Sequence, residues 1–185
     1  PISDQTGRRR PLIAGLALYV ISSLLCAWVP SIEAFIVMRF IQGLSGAAGI
    51  VISRAITRDL FTGPALTKFM ASLTIVFGAA PILSPIIGGQ LMQFMNWQGI
   101  FYVLAGIGGL LLLYSLFGLA ETLPPESRTS GGLARTRRDI ATLIRDRFFV
   151  GLALSQGLAV ACMFIYIASS SFVLQNNYGL SPNVF

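Results

Sequence analysis

Residues 69–120 read FMASLTIVFGAAPILSPIIGGQLMQFMNWQGIFYVLAGIGGLLLLYSLFGLA and contain no Asp, Glu, Lys or Arg. A helix rises 1.5 Å per residue, so about 20 mostly apolar residues cross a hydrocarbon layer about 30 Å thick. This uncharged run is long enough for two crossings. Polarity rises between them at Met95-Asn96-Trp97-Gln98, where a Trp suits the depth of the membrane interface. Outward from this run, residues 11–32 and 148–185 carry no charge, and 34–53 carry only Arg39. The pattern predicts five spans, at roughly 11–29, 32–53, 69–94, 98–120 and 149–173. The fold class is therefore all-α, a polytopic transmembrane helical bundle.

Composition agrees. Of 185 residues, 11% are charged and 55% hydrophobic, and mean hydropathy is +0.76. An average soluble domain has roughly a quarter of its residues charged. With zero histidines, imidazole acid–base catalysis and imidazole-held zinc or haem are excluded. The sequence shows no nucleophile–base pair, no carboxylate pair within a span, no phosphate-cradling Gly-rich loop and no metal cluster. We expect no enzymatic activity, no cofactor and no metal. Cys26 and Cys162 lie inside apolar spans and read as small packing residues.

The cations set an orientation. Arg8, Arg9 and Arg10 precede the first span, and Arg54, Arg58 and Lys68 fall between the second and third. Arg128, Arg135, Arg137, Arg138, Arg145 and Arg147 fall between the fourth and fifth. Together these are 12 of the 13 Lys and Arg, all on one side, and the loops of the other side have none. The positive-inside rule places the basic side, and the start of the chain, in the cytoplasm, with the end of the chain on the opposite side. The pI near 10 is then explained without nucleic acid. The chain starts at Pro1 within a basic loop and has no initiator Met, so it reads as an interior piece of something longer.

Arg39 does not belong in lipid. It lies nine positions after Pro30, about 13 Å along a helix, and an intramembrane Arg costs at least about 3 kcal/mol. Such a residue faces an aqueous cavity or a partner; snorkelling is the alternative, and mid-helix it reaches the headgroups poorly. Gln42, Gly43 and Gly46 follow at i+3, i+4 and i+7 and share its face. The stretch presents a cation, an amide and a smooth glycine strip for helix packing. The third span holds Gly78, Pro81, Pro85, Gly88 and Gly89, a pattern that fits both a kinked packing helix and a hinge or tight seam. In the fifth span Gln156, Met163 and Ser170 make a weakly polar stripe that fits a cavity lining or plain packing. Between the last two spans Leu133, Ile140, Leu143 and Ile144 form an apolar stripe opposite several Arg. That stripe fits a helix on the membrane face as well as a solvated linker.

These residues resemble the major facilitator superfamily, and within it the bicyclomycin/chloramphenicol-resistance (Bcr/CflA) branch of drug:proton antiporters. The superfamily's signature loop is matched by Asp4, Gly7, Arg8 and Arg9, with Gln5 departing from the usual cation. The fourth-helix pattern is matched by Arg39, Gln42, Gly43, Gly46, Ala47 and Ala48. The antiporter motif appears as Ser84-Pro85 and Gly88-Gly89, with Pro81 upstream and Ser84 where the motif has Gly. The resemblance implies a twelve-helix transporter, of which this chain holds the third to seventh helices. Residues 1–120 would belong to the N-terminal six-helix bundle, 121–147 to the cytoplasmic linker and 148–185 to the first helix of the C-terminal bundle. It implies proton-coupled efflux of small lipophilic drugs by alternating access across a bacterial inner membrane. Arg39 and Gln42 would then serve proton coupling, and Asp4, Gly7, Arg8 and Arg9 a conformational latch. Its partners would be drug, protons, the lipid bilayer and the missing helices. The alternatives are an importer or metabolite exporter of the same superfamily, or an inactive truncated fragment.

Overall fold

The computed structural model of the chain describes residues 2–128 and 132–178. Every regular element among them is helical. A single turn, α1 (Ile2–Thr6), ends at Gly7, whose φ of +92° reverses the chain into α2 (Arg9–Trp28). Pro30 prevents α2 from continuing. Ser31 then caps α3 (Ile32–Leu60) by accepting a hydrogen bond from the Ala34 amide at 3.3 Å. A two-residue corner leads into α4 (Gly63–Leu91), with Pro64 in its first turn, where a missing N–H costs nothing. A turn through Met95 and Asn96 gives α5 (Trp97–Phe117). A short 3-10 turn, Pro125–Ser127, follows, then α6 (Gly132–Arg145) and α7 (Arg147–Tyr178). Helices α2, α3, α4, α5 and α7 are each long and apolar enough to cross a membrane.

The helix ends differ from the expected spans in one informative place. Residues 54–68 read as a basic loop, yet α3 runs on through Arg54 and Arg58 to Leu60, and α4 already includes Lys68. A charge ends a hydrocarbon segment without ending a helix, because Arg and Lys are good helix formers. At 29 residues, α3 is about 43 Å long, so its last turns stand clear of the hydrocarbon. That extension is held by contacts absent from a floppy loop. Thr57 is buried and its hydroxyl donates to the Ser53 carbonyl at 2.9 Å. The Arg54 guanidinium lies 5.4 Å from the Phe77 ring centre, and Phe61 stacks on Phe69 at 4.9 Å.

The chain divides into two compact units, Pro1–Thr129 and Ser130–Phe185. In the first, α2 is the centre and packs on both α3 and α5. Two glycines allow that approach. A Cβ on Gly15 would stand 3.3 Å from the Ala48 Cβ, and one on Gly108 would stand 2.9 Å from the Tyr19 ring. The fully buried side chains here are small: Ser22, Ser23 and Cys26 on α2, with Gln42 and Ser45 of α3 also buried. Helix α4 buries none of its residues and continues unbroken through Pro81 and Pro85. The second unit holds α6 and α7. Asp146 breaks the chain between them, and its carboxylate caps α7 by accepting from the Phe148 and Phe149 amides at 2.9 and 3.3 Å.

Candidate functional site

Arg39 lies on an exposed face of α3, and its side chain is held from two directions. Nη1 donates to Gln42 Oε1 at 2.6 Å, as the i+3 spacing allows. The guanidinium carbon lies 5.5 Å from the ring centre of Phe101 on α5, within cation–π range. Phe101 is itself fixed edge-to-face by Phe35 at 5.7 Å and Trp97 at 6.1 Å. Gln42 is 3% exposed, and its Nε2 donates across the helix interface to Ser23 Oγ at 2.6 Å. The Ser23 hydroxyl in turn donates to the Tyr19 carbonyl at 2.7 Å. Among the described residues no carboxylate pairs with Arg39. Gly46 rests against the Tyr19 ring, whereas Gly43 faces open space, as do Gly78 and Gly88 on α4. Below Gln42, residues of α2, α3, α4 and α5 line an open, mostly apolar cavity of about 390 Å³ that includes Tyr19, Ser45, Gly49 and Phe77.

A second cluster forms at the basic end of the same unit. Arg8 is 7% exposed and sits between two carboxylates. Its Nη1 is 2.5 Å from Asp4 Oδ1 and its Nε 2.8 Å from Asp59 Oδ2. Ser3 Oγ accepts from Nη1 at 2.9 Å. Glu121, beyond α5, accepts from the amides of Arg8 at 2.7 Å, Leu123 at 3.1 Å and Arg9 at 3.3 Å. Its carboxylate thus caps α2, where a helix N-terminus favours an anion. Arg9 does the reverse at the other pole, with its guanidinium on the Ser115 and Leu116 carbonyls that end α5. Gly7 closes the arrangement, because a Cβ there would collide with the Glu121 carboxylate.

Electrostatics follows from these contacts. The hydrogen bond from Arg8 holds the Asp4 carboxyl below its ordinary pKa. Burial pushes the Glu121 carboxyl up, but the amides of Arg8, Leu123 and Arg9 outweigh it and leave the pKa lowered. Asp59, against its own partner, raises that of Arg8. All three groups are charged at neutral pH, and the cluster ties the Gly7 turn to α3 and to the segment after α5.

Asp4, Gly7, Arg8 and Arg9 therefore come together, and so do Arg39 and Gln42. Pro81, Pro85, Gly88 and Gly89 lie along α4. Gln156 and Met163 lie exposed on α7; the side chain of Ser170 is outside the described residues. Asp59, Glu121, Ser23 and Phe101 are site residues that the sequence reading did not single out. One signal existed for the first two: each is a lone acid at the edge of an uncharged or basic stretch.

Five helices long and apolar enough to cross a membrane mark a multi-pass membrane protein. The family model of the Major Facilitator Superfamily matches residues 1–185, and the chain belongs to that superfamily. It is 42% identical over 187 residues to the uncharacterized MFS-type transporter YdgK of Bacillus subtilis. It is 31% identical over 185 residues to a bicyclomycin resistance protein homolog of Haemophilus influenzae. It is 30% identical over 184 residues to the multidrug resistance protein MdtL of Klebsiella pneumoniae. All of this chain but only 46% of each relative is covered, so the chain spans about half the length of the curated relatives it matches.

Proposed function

We propose that the chain is the central part of a proton-coupled exporter of small lipophilic drugs in a bacterial inner membrane, and that the protein is not an enzyme. In this reading residues 1–120 belong to one six-helix bundle, 121–147 link the two bundles, and 148–185 begin the second. Relatives named for bicyclomycin and multidrug resistance support export of such compounds. The observation that carries the reading is Arg39, a cation within a membrane span, presented on an open face and braced by Gln42 and Phe101. A guanidinium stays charged at any working pH, so Arg39 does not itself carry the proton. Its role is to stabilise the deprotonated form of a carboxylate, or to polarise a water, in a cavity completed by other helices.

Alternating access would come from two bundles rocking about a midplane site. The exposed side of α4, with Gly78, Pro81, Pro85, Gly88 and Gly89, would form a seam with helices outside this chain. The Asp4, Gly7, Arg8 and Arg9 cluster would hold one conformer from the cytoplasmic side, and Gln156, Met163 and Ser170 would line the drug path. The test is drug-stimulated proton movement in proteoliposomes holding the full-length protein and a pH-sensitive dye. Proton flux that rises on addition of a transported drug supports the reading. No flux with any member of a broad drug panel removes it.

A further inference from the structure

The hydrogen bonds below Arg39 form a chain with a fixed direction. Arg39 has only donors to offer, and the Tyr19 carbonyl can only accept. Between these ends, Gln42 must turn Oε1 to Arg39 and Nε2 to Ser23, and the Ser23 hydroxyl must accept from Gln42 and donate to Tyr19. Each link is short, 2.6 to 2.7 Å, and Ser23 and Gln42 are 0% and 3% exposed. Without the Ser23 oxygen, the Gln42 amide nitrogen would be left buried and unpartnered, which drives the amide to turn or swing away.

We infer that Ser23 is a positioning residue for proton coupling: from α2 it sets the orientation of the Gln42 amide and, through it, the placement of the Arg39 guanidinium on α3. This rests on the coupling role proposed for Arg39. Ser22 provides the internal comparison. It is equally buried at 1% exposure, yet its hydroxyl serves only its own helix, at the Leu18 and Tyr19 carbonyls. A loss of buried packing or polarity would affect both positions, whereas a loss of positioning affects Ser23 alone.

The experiment uses the full-length protein in vesicles and two readouts. The first is the rate at which phenylglyoxal, an arginine-selective reagent, modifies Arg39, followed by peptide mass spectrometry. In Ser23→Ala that rate rises about fivefold, the equilibrium equivalent of one ordinary hydrogen bond, and in Ser22→Ala and Ser23→Thr it stays at the wild-type value. The second is ethidium efflux driven by an imposed pH gradient. Ser23→Ala moves its pH midpoint to the alkaline side, because a loosened cation stabilises its deprotonated partner less, while Ser22→Ala leaves the midpoint in place. Unchanged Arg39 modification in Ser23→Ala, alongside loss of efflux in Arg39→Ala, overturns this inference alone. Wild-type efflux in Arg39→Ala overturns the coupling role on which it rests, whatever the labelling shows.

Discussion

Replacing Gly7 by Ala separates two forces acting at one atom. The first is backbone strain: at φ +92° a residue with a Cβ is disfavoured by about 1–2 kcal/mol. The second is steric, since the new Cβ would occupy the place of the Glu121 carboxylate. That carboxylate would leave the Arg8, Arg9 and Leu123 amides, a loss of about 1–2 kcal/mol after discounting for its partial exposure to water. Gly7→Ala therefore destabilises by about 2–4 kcal/mol in total. Glu121→Ala removes the cap but not the strain, and costs about 1–2 kcal/mol. The double variant pays the strain once and loses the cap once, so it falls short of the sum of the singles by about 1–2 kcal/mol. The assay is reversible unfolding of the purified full-length protein in mixed micelles across the four members of the cycle. Strictly additive effects would mean that a side chain at position 7 does not displace the Glu121 carboxylate.

Acidification tests the same cluster. The Asp4 and Glu121 carboxyls are held below their ordinary values, so the stability they contribute is fully present above the unfolded pKa values. It is lost as pH falls below about 4.3 and on through the folded values. Unfolding measured from pH 7 to 3 shows this loss in the wild type and a smaller one in Asp4→Asn; equal slopes would contradict it. For topology, a cysteine at Ser31 or Asn96 in intact cells reacts with a membrane-impermeant thiol reagent added outside, and one at Ser130 does not. Labelling at position 130 would reverse the orientation.

Much of the fold was legible because hydrocarbon thickness imposes a length on uncharged runs, as in 69–120. The ends of α3 and α4 were not, because Arg54, Arg58 and Lys68 leave the membrane while remaining helical. The Arg39–Gln42 contact was readable from the i+3 spacing on one helix. Its supports were not: Ser23 and Phe101 approach from α2 and α5, and only the packing permitted by Gly15 and Gly108 brings them there. The cluster around Arg8 shows the same division. Asp4 and Arg8 are neighbours in sequence, while Asp59 and Glu121 join Arg8 from 51 and 113 positions away, through the tertiary fold.

The coupling role proposed for Arg39 is measured directly by proton and drug flux recorded together in proteoliposomes of the wild type, Arg39→Ala and Arg39→Lys. Arg39→Ala is expected to insert and bind drug but to show no pH-driven export. Arg39→Lys is expected to recover little of it, since lysine keeps the charge but loses the planar fork of donors that Gln42 meets. An Arg39→Ala protein that inserts normally and exports at the wild-type rate would rule out the coupling role and leave Arg39 a packing or snorkelling residue.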